Sequence, residues 1–269
     1  MEQYHPSLRT DGKAALRAAT AGWYGVTVLG QWAFVLFVVV YYFTRTFSGD
    51  FAGWNDKPLI HGYRAGEWLA HIGFALHSTL AAAMTATGTL QLHPGLRARA
   101  PKLHRVSGRV FVVTAVILAA SGLALTWFRG TYLNAASAVA VTGDGLLIFV
   151  GAVQTIRYAR RRDFVRHRRW ALRLFMAASG VWMLRVGMMF WAITTQGWGM
   201  GKAMDGPFDI AWGFGCYLLP LAMLELYFLA EETSHRRVRL AYSALLGAST
   251  GAMAVGIFGT VALMWLPYL

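Results

Sequence analysis

The sequence is short of charge, of acidic residues and of cysteine. Only 14% of its 269 residues are charged, well under the roughly 25% that coats a soluble domain. A soluble single-domain enzyme is therefore excluded first. Aromatic residues at 14% exclude intrinsic disorder. The single cysteine, Cys216, excludes an intramolecular disulfide, and no CxxC is present to hold zinc or an iron–sulfur cluster. GxSxG, P-loop, HExxH and dinucleotide fingerprints are absent too, and the hydrolase, kinase, protease and dehydrogenase readings lose support together.

What the chain has instead is apolar length. Hydrophobic residues make up 57% of it, and a span of a roughly 30 Å hydrocarbon core needs about 20 of them in a row. Seven segments qualify: Gly22 to Phe43, Trp68 to Leu92, Val106 to Phe128, Ala136 to Tyr158, Trp170 to Thr194, Phe208 to Ala230 and Leu240 to Leu266. The expected fold is an all-α polytopic membrane bundle of seven transmembrane helices. Residues 1–21 form a polar tail, 22–269 one membrane domain, and about 68–194 its functional core. The first apolar stretch carries no small-residue cleavage pattern and reads as a retained anchor.

The formal net charge of +13 is placed unevenly. Lys and Arg counted over alternate connections give nineteen on one side and five on the other, with Arg185 inside a helix. That asymmetry puts the N-terminus in the cytoplasm. The run from Arg157 to Arg173 then reads as topology and attraction to anionic lipid, with no nucleic acid as partner.

Ionisable residues inside a bilayer are costly and are functional candidates by default. His77, Asp144 and Arg185 fall about 12–15 Å below the outer surface at 1.5 Å per residue. They are the expected substrate or proton site, and an Asp144–Arg185 ion pair would lower the cost of burying each charge. The competing reading is that the pair only fixes helix positions. Glu225 lies deeper, as a relay member or a group reaching water. On the cytoplasmic side, His104 and His167 sit at matching depth on separate helices, as six-coordinate haem ligation requires. Arg105, Arg109 and Arg168 are the matching anion contacts. The alternative for these histidines is interfacial contact with lipid phosphate. His71 and His77, six residues apart, cannot grip one metal together, and His5, His61 and His235 fall in the tail or loops. Gly247 and Gly251 form a GxxxG in the last segment, and Gly180 and Gly187 lie two turns apart.

The run Gln91–Arg109, with Arg97, Arg99, Pro101, His104, Arg105, Gly108 and Arg109, resembles a bacterial membrane family, domain of unknown function 2306. His77, the block His167, Arg168, Trp170 and Arg173, and the intramembrane Arg185 fit the same pattern, over roughly residues 70 to 190. That resemblance implies an architecture and no activity. A second, weaker likeness is to cytochrome b561-type dihaem proteins, in which His104 and His167 would form one histidine pair. Asp144 stands where the other pair needs a histidine, which leaves one haem at most. The leading expectation is a membrane redox protein binding one b-type haem or a quinone-like molecule, with His104 and His167 as metal ligands. The alternatives are a cofactor-free transporter or lipid-interacting protein, and an accessory subunit or homo-oligomer whose role is assembly.

Overall fold

Residues 12–57, 62–93, 95–130 and 132–269 are described by a computed structural model of the chain. Its helices are α1 (Gly12–Val38), α2 (Thr44–Ser48), α3 (Trp68–Leu92), α4 (Leu96–Arg99), α5 (Pro101–Arg129), α6 (Ala135–Arg160), α7 (Phe164–Ala178), α8 (Gly180–Thr195), α9 (Pro207–Glu232) and α10 (Arg236–Gly259). Five of them are long and apolar enough to cross a bilayer, and six if α7 and α8 count as one bent span. The expectation was seven.

Two boundaries differ from the sequence reading for local reasons. Residues 12–21, expected in the tail, are the first turns of α1, because GKAALRAATA holds good helix formers and no breaker after Gly12. Tail residues 1–11, with His5, lie outside the described residues, as does His61. The fifth apolar segment is broken at Ser179, with a bend of 55° between α7 and α8. Ser179 and Gly180 are poor helix interior residues side by side, a recurrent cause of kinks.

Pairwise contacts give the course of the chain. His77 faces Ser121 and Gln91 faces Ser107, so α3 and α5 are antiparallel along their length. Trp127 meets Thr142 between α5 and α6. Gly151 lies against Leu174 and Gly180 against Asp144, so α6 keeps one antiparallel neighbour through the bend. Arg168 with Glu231 and Trp191 with Phe208 do the same for α9. The first and last helices are parallel: Gly12 touches Arg239 and Gly30 touches Ile257.

Of the glycines singled out from the sequence, Gly187 is pressed against Trp212 and Gly180 against Asp144, and Gly256 adds a third close approach. A Cβ on Gly256 would overlap the Val186 carbonyl, which locks α10 onto α8. Around Gly247 and Gly251 there is nothing within 4 Å, so that GxxxG faces outward and packs no helix. The apolar core falls into two main clusters. One, around Leu174, Phe175 and Phe228, lies between α5, α6, α7 and α9. The other, aromatic and centred on Phe37, Tyr41, Trp54 and Trp265, closes the opposite end of the bundle.

Candidate functional site

Near the arginine-poor end α1 gives way to a π-helical turn, Val39–Phe43, and α10 to another, Thr260–Trp265. Such turns are rare and cluster at functional positions. They bring Phe37 and Trp265 into a stack at 5.4 Å. The loop after α2 folds back over them: the Tyr41 hydroxyl donates to the Gly53 carbonyl at 2.8 Å, and Trp54 is fully buried. This carries Lys57 inward to 9% exposure, with Nζ 4.3 Å from the Phe37 ring centroid. Burial pushes the Lys57 amine down to about 8, and the Arg185 charge adds to the effect.

Arg185 reaches the same wall from α8. Its Cζ lies 6.0 Å from the Phe34 ring, one helical turn from Phe37. One guanidinium N–H donates to the Val181 carbonyl of its own helix at 2.8 Å. His77 of α3 and Tyr42 of the π turn lie within its electrostatic reach. His77 Nδ1 shares a 3.0 Å hydrogen bond with Ser121 Oγ, in a direction set by the imidazole tautomer. Among the described residues no carboxylate pairs with Arg185 or with Lys57. Asp56, the acid beside Lys57 in sequence, is 3.5 Å from Arg45 instead.

Asp144 stands elsewhere. Its carboxylate rests on the α7–α8 break, where a Cβ on Gly180 would lie 2.8 Å from Oδ2. Oδ1 is buried without a hydrogen-bond partner. Cys216 and Tyr217 of α9 are its electrostatic neighbours. The other residue of the break, Ser179, accepts a 3.0 Å hydrogen bond from Gln31 of α1, which is 2% exposed and whose Oε1 is also orphaned. The expected Asp144–Arg185 ion pair is therefore not formed. Asp144 points at the break and α9, whereas Arg185 points at α1.

At the arginine-rich end the histidines and arginines part company. His104 of α5 and His167 of α7 lie within each other's field. His167 Nδ1 is fixed to the Thr155 carbonyl at 3.0 Å, and His104 Nδ1 is buried without a partner. Arg168, expected to contact an anionic cofactor, is taken up by Glu231 at 2.9 and 3.1 Å and by the Tyr227 hydroxyl. Arg173 grips Glu225 with two bonds of 2.7 and 2.8 Å, and Arg169 pairs with Glu232. Glu225 is thus an ion-pair partner. Arg105 and Arg109 are exposed. Among the described residues no group of three or more His, Cys, Asp or Glu is arranged to hold a metal ion. His71 and His93 serve local structure: His71 is stacked on Tyr63 at 4.6 Å, and His93 accepts from the Gly95 N–H.

A family model described as "Predicted membrane protein (DUF2306)" matches residues 61–228. The chain belongs to this family. The matched stretch runs from the loop after Lys57 to the end of α9, so it contains the His77, Asp144, His104, His167 and Arg185 positions. Comparison with curated proteins and with solved structures finds no match. The likeness to cytochrome b561 gains no support from these comparisons.

Sequence reasoning missed Lys57, Tyr42 and Gln31. Lys57 counted only as one of five loop cations. Its signal was its setting, among Phe51, Trp54 and the aromatic run at the end of the first span, which can draw a lysine stem inward.

Proposed function

We propose that this multi-pass protein of the bacterial inner membrane binds a small substrate in an intramembrane chamber and moves it across the bilayer without a cofactor. One observation carries the reading: Arg185 is held inside a helix of the bundle without an acidic partner among the described residues. A scaffolding arginine is expected to be neutralised by a neighbour, since an uncompensated charge at that depth is expensive. An arginine left open is what a ligand site needs. His77 shares the Arg185 chamber, and Asp144 lies at the helix break that gives one membrane segment two orientations. Broken helices beside unpaired polar groups are where transporters hold their cargo.

Seven spans with the N-terminus in the cytoplasm suit this role. The 25-residue α3 carries no Asp, Glu, Lys or Arg. A parallel first and last helix requires an odd number of crossings, which α3 supplies when α7–α8 count as one. Cys216 is buried, so new cysteines label cleanly: Lys202→Cys reacts with an impermeant maleimide on intact cells and Arg161→Cys only after lysis. The reverse pattern overturns the orientation. Anionic lipid lies against the groove of about 520 Å³ between Val153, Ile156, Arg157, Arg160 and Arg161.

The transport reading is tested by shrink–swell light scattering of proteoliposomes across neutral, cationic and anionic solutes. Wild type passes at least one solute class, and Arg185→Gln and Asp144→Asn lose it. Wild-type flux in both variants reduces these charges to scaffold.

A second reading is a redox protein binding one b-type haem or a quinone-like molecule. His104 and His167 would hold the iron, and Arg105 and Arg109 would meet the anionic groups. The fit is partial. His167 has Nε2 free with Nδ1 anchored on a carbonyl, as metal-bound histidines have. His104 Nδ1 lacks such an anchor, and Arg168 is spent on Glu231. The group would supply one-electron transfer. A sharp Soret band in the reduced-minus-oxidised spectrum, lost in His104→Ala and His167→Ala, supports it, and protein that stays colourless after haem reconstitution removes the haem.

A further inference from the structure

We propose that Arg185 and Lys57, set against the Phe34–Phe37 face of α1, together bind an oxyanion, a carboxylate or phosphate carried on an apolar body. This names the substrate class of the site proposed above and rests on that reading.

The charge arrangement supplies the first argument. Arg185 comes from α8 and Lys57 from the loop after α2, and both stand against one face of α1, at Phe34 and Phe37. Two cations converging on one apolar wall repel each other, and low dielectric magnifies that repulsion. Proteins relieve it with a facing carboxylate. Here none pairs with either cation among the described residues, and Asp56 is turned to Arg45. An anionic ligand supplies the missing charge.

The donors are also in place. A guanidinium offers five N–H groups and an ammonium three. Arg185 spends one on Val181, and among the described residues the Lys57 ammonium has only ring contacts, to Phe37 and Tyr41. The Tyr42 hydroxyl makes no hydrogen bond among the described residues, and it lies in the field of Arg185. Carboxylate and phosphate oxygens take such converging donors well.

The walls decide the rest of the ligand. Phe34 and Phe37 pack on Trp265, and Tyr42 on Phe74 at 5.4 Å. A strongly hydrated inorganic ion gains nothing from such a lining. An organic acid or a lipid phosphate buries its apolar body there.

Lys57 makes the site sensitive to pH. The groups facing it are Arg185 from α8, Tyr41, Tyr42 and Arg45 from the end of α1 and α2, His77 from α3 by way of Arg185, and Asp56 in its own loop. With its amine titrating near 8, the site holds two full cations at neutral pH and one at pH 9.5.

The test is thermal unfolding of the full chain in detergent at pH 7, with sodium benzoate as probe and benzyl alcohol as its uncharged counterpart. Benzoate raises the Tm in a saturable way and benzyl alcohol does not. Arg185→Gln abolishes the shift. Lys57→Gln weakens apparent affinity at least about tenfold, the scale of one charge-assisted contact. Arg185→Lys, which keeps the charge, retains a weaker shift and guards against misfolding as the cause. Lys202→Gln, an exposed loop cation, responds as wild type. Benzoate affinity falls as pH passes 8 in wild type and stays flat in Lys57→Gln. A second arm uses nanodiscs of phosphatidylcholine with and without phosphatidylglycerol. Stabilisation by phosphatidylglycerol alone, lost in Arg185→Gln, assigns the oxyanion to a lipid headgroup, and stabilisation by benzoate assigns it to a free organic acid. Stabilisation by neither, or a benzoate shift unchanged in Arg185→Gln, overturns the proposal. Benzoate binding without solute flux leaves this assignment standing and removes transport. Flux of a neutral or cationic solute with no benzoate shift does the opposite.

Discussion

The carboxylate of Asp144 lies directly on the backbone of Gly180, 2.8 Å from where a Cβ would stand. The contact ties α6 to the break between α7 and α8, and a methyl added at Gly180 would press on the Asp144 carboxylate. Gly180→Ala is expected to cost about 1–3 kcal/mol through overpacking. The same change in an Asp144→Ala background should cost clearly less, because the two atoms that collide are then no longer both present. A double-mutant cycle on thermal unfolding in detergent measures the coupling.

Lys57 gives the unliganded protein a pH dependence of defined sign. Its amine titrates near 8 in the fold against 10.5 in the open chain. Between those values the unfolded chain holds the proton and the folded one has released it. Stability therefore rises with pH across the window, by at most about 3 kcal/mol. Subtracting the Lys57→Met profile from wild type isolates the effect, and the difference should climb over pH 8 to 10.5 and level off above it.

Three arginines of α7 meet three glutamates of α9: Arg168 with Glu231, Arg169 with Glu232, and, farther along α7 and earlier in α9, Arg173 with Glu225. Each pair is partly exposed, and one alone is worth on the order of 1 kcal/mol or less. Arg173→Glu is expected to cost more than Arg173→Ala, because it sets two carboxylates face to face. Adding Glu225→Arg should recover most of the loss, read as midpoint in a detergent unfolding series.

Small-residue packing gives a paired expectation. Gly256→Ala forces a methyl into the Val186 carbonyl and should lower the Tm by several degrees, as 1–2 kcal/mol does for a domain of this size (about 2–4 °C per kcal/mol). Gly251→Ala meets open space and should leave it unchanged. A reversed order of these two variants contradicts the α8–α10 packing.

Hydropathy made some of the long helices legible to within a few residues: α6 covers Ala135–Arg160 where Ala136 to Tyr158 was expected, whereas α1 starts at Gly12, ten residues before the expected Gly22. Azimuth was not legible. Helix rotation and the bend at Ser179 decide that Asp144 and Arg185 face different neighbours. The glutamates of α9 could have been assigned to the arginines of α7 from an antiparallel reading of the two spacings. Lys57 could not have been placed, because its burial depends on a loop folding back onto two π-helical turns that no local pattern announces.

The most direct measurement is the transient charge displacement on a solid-supported membrane when proteoliposomes meet a benzoate concentration jump at pH 7. The account predicts an inward step of negative charge in wild type and in Lys202→Gln, absent in Arg185→Gln and much reduced in Lys57→Gln. A signal of full size in Arg185→Gln would contradict it.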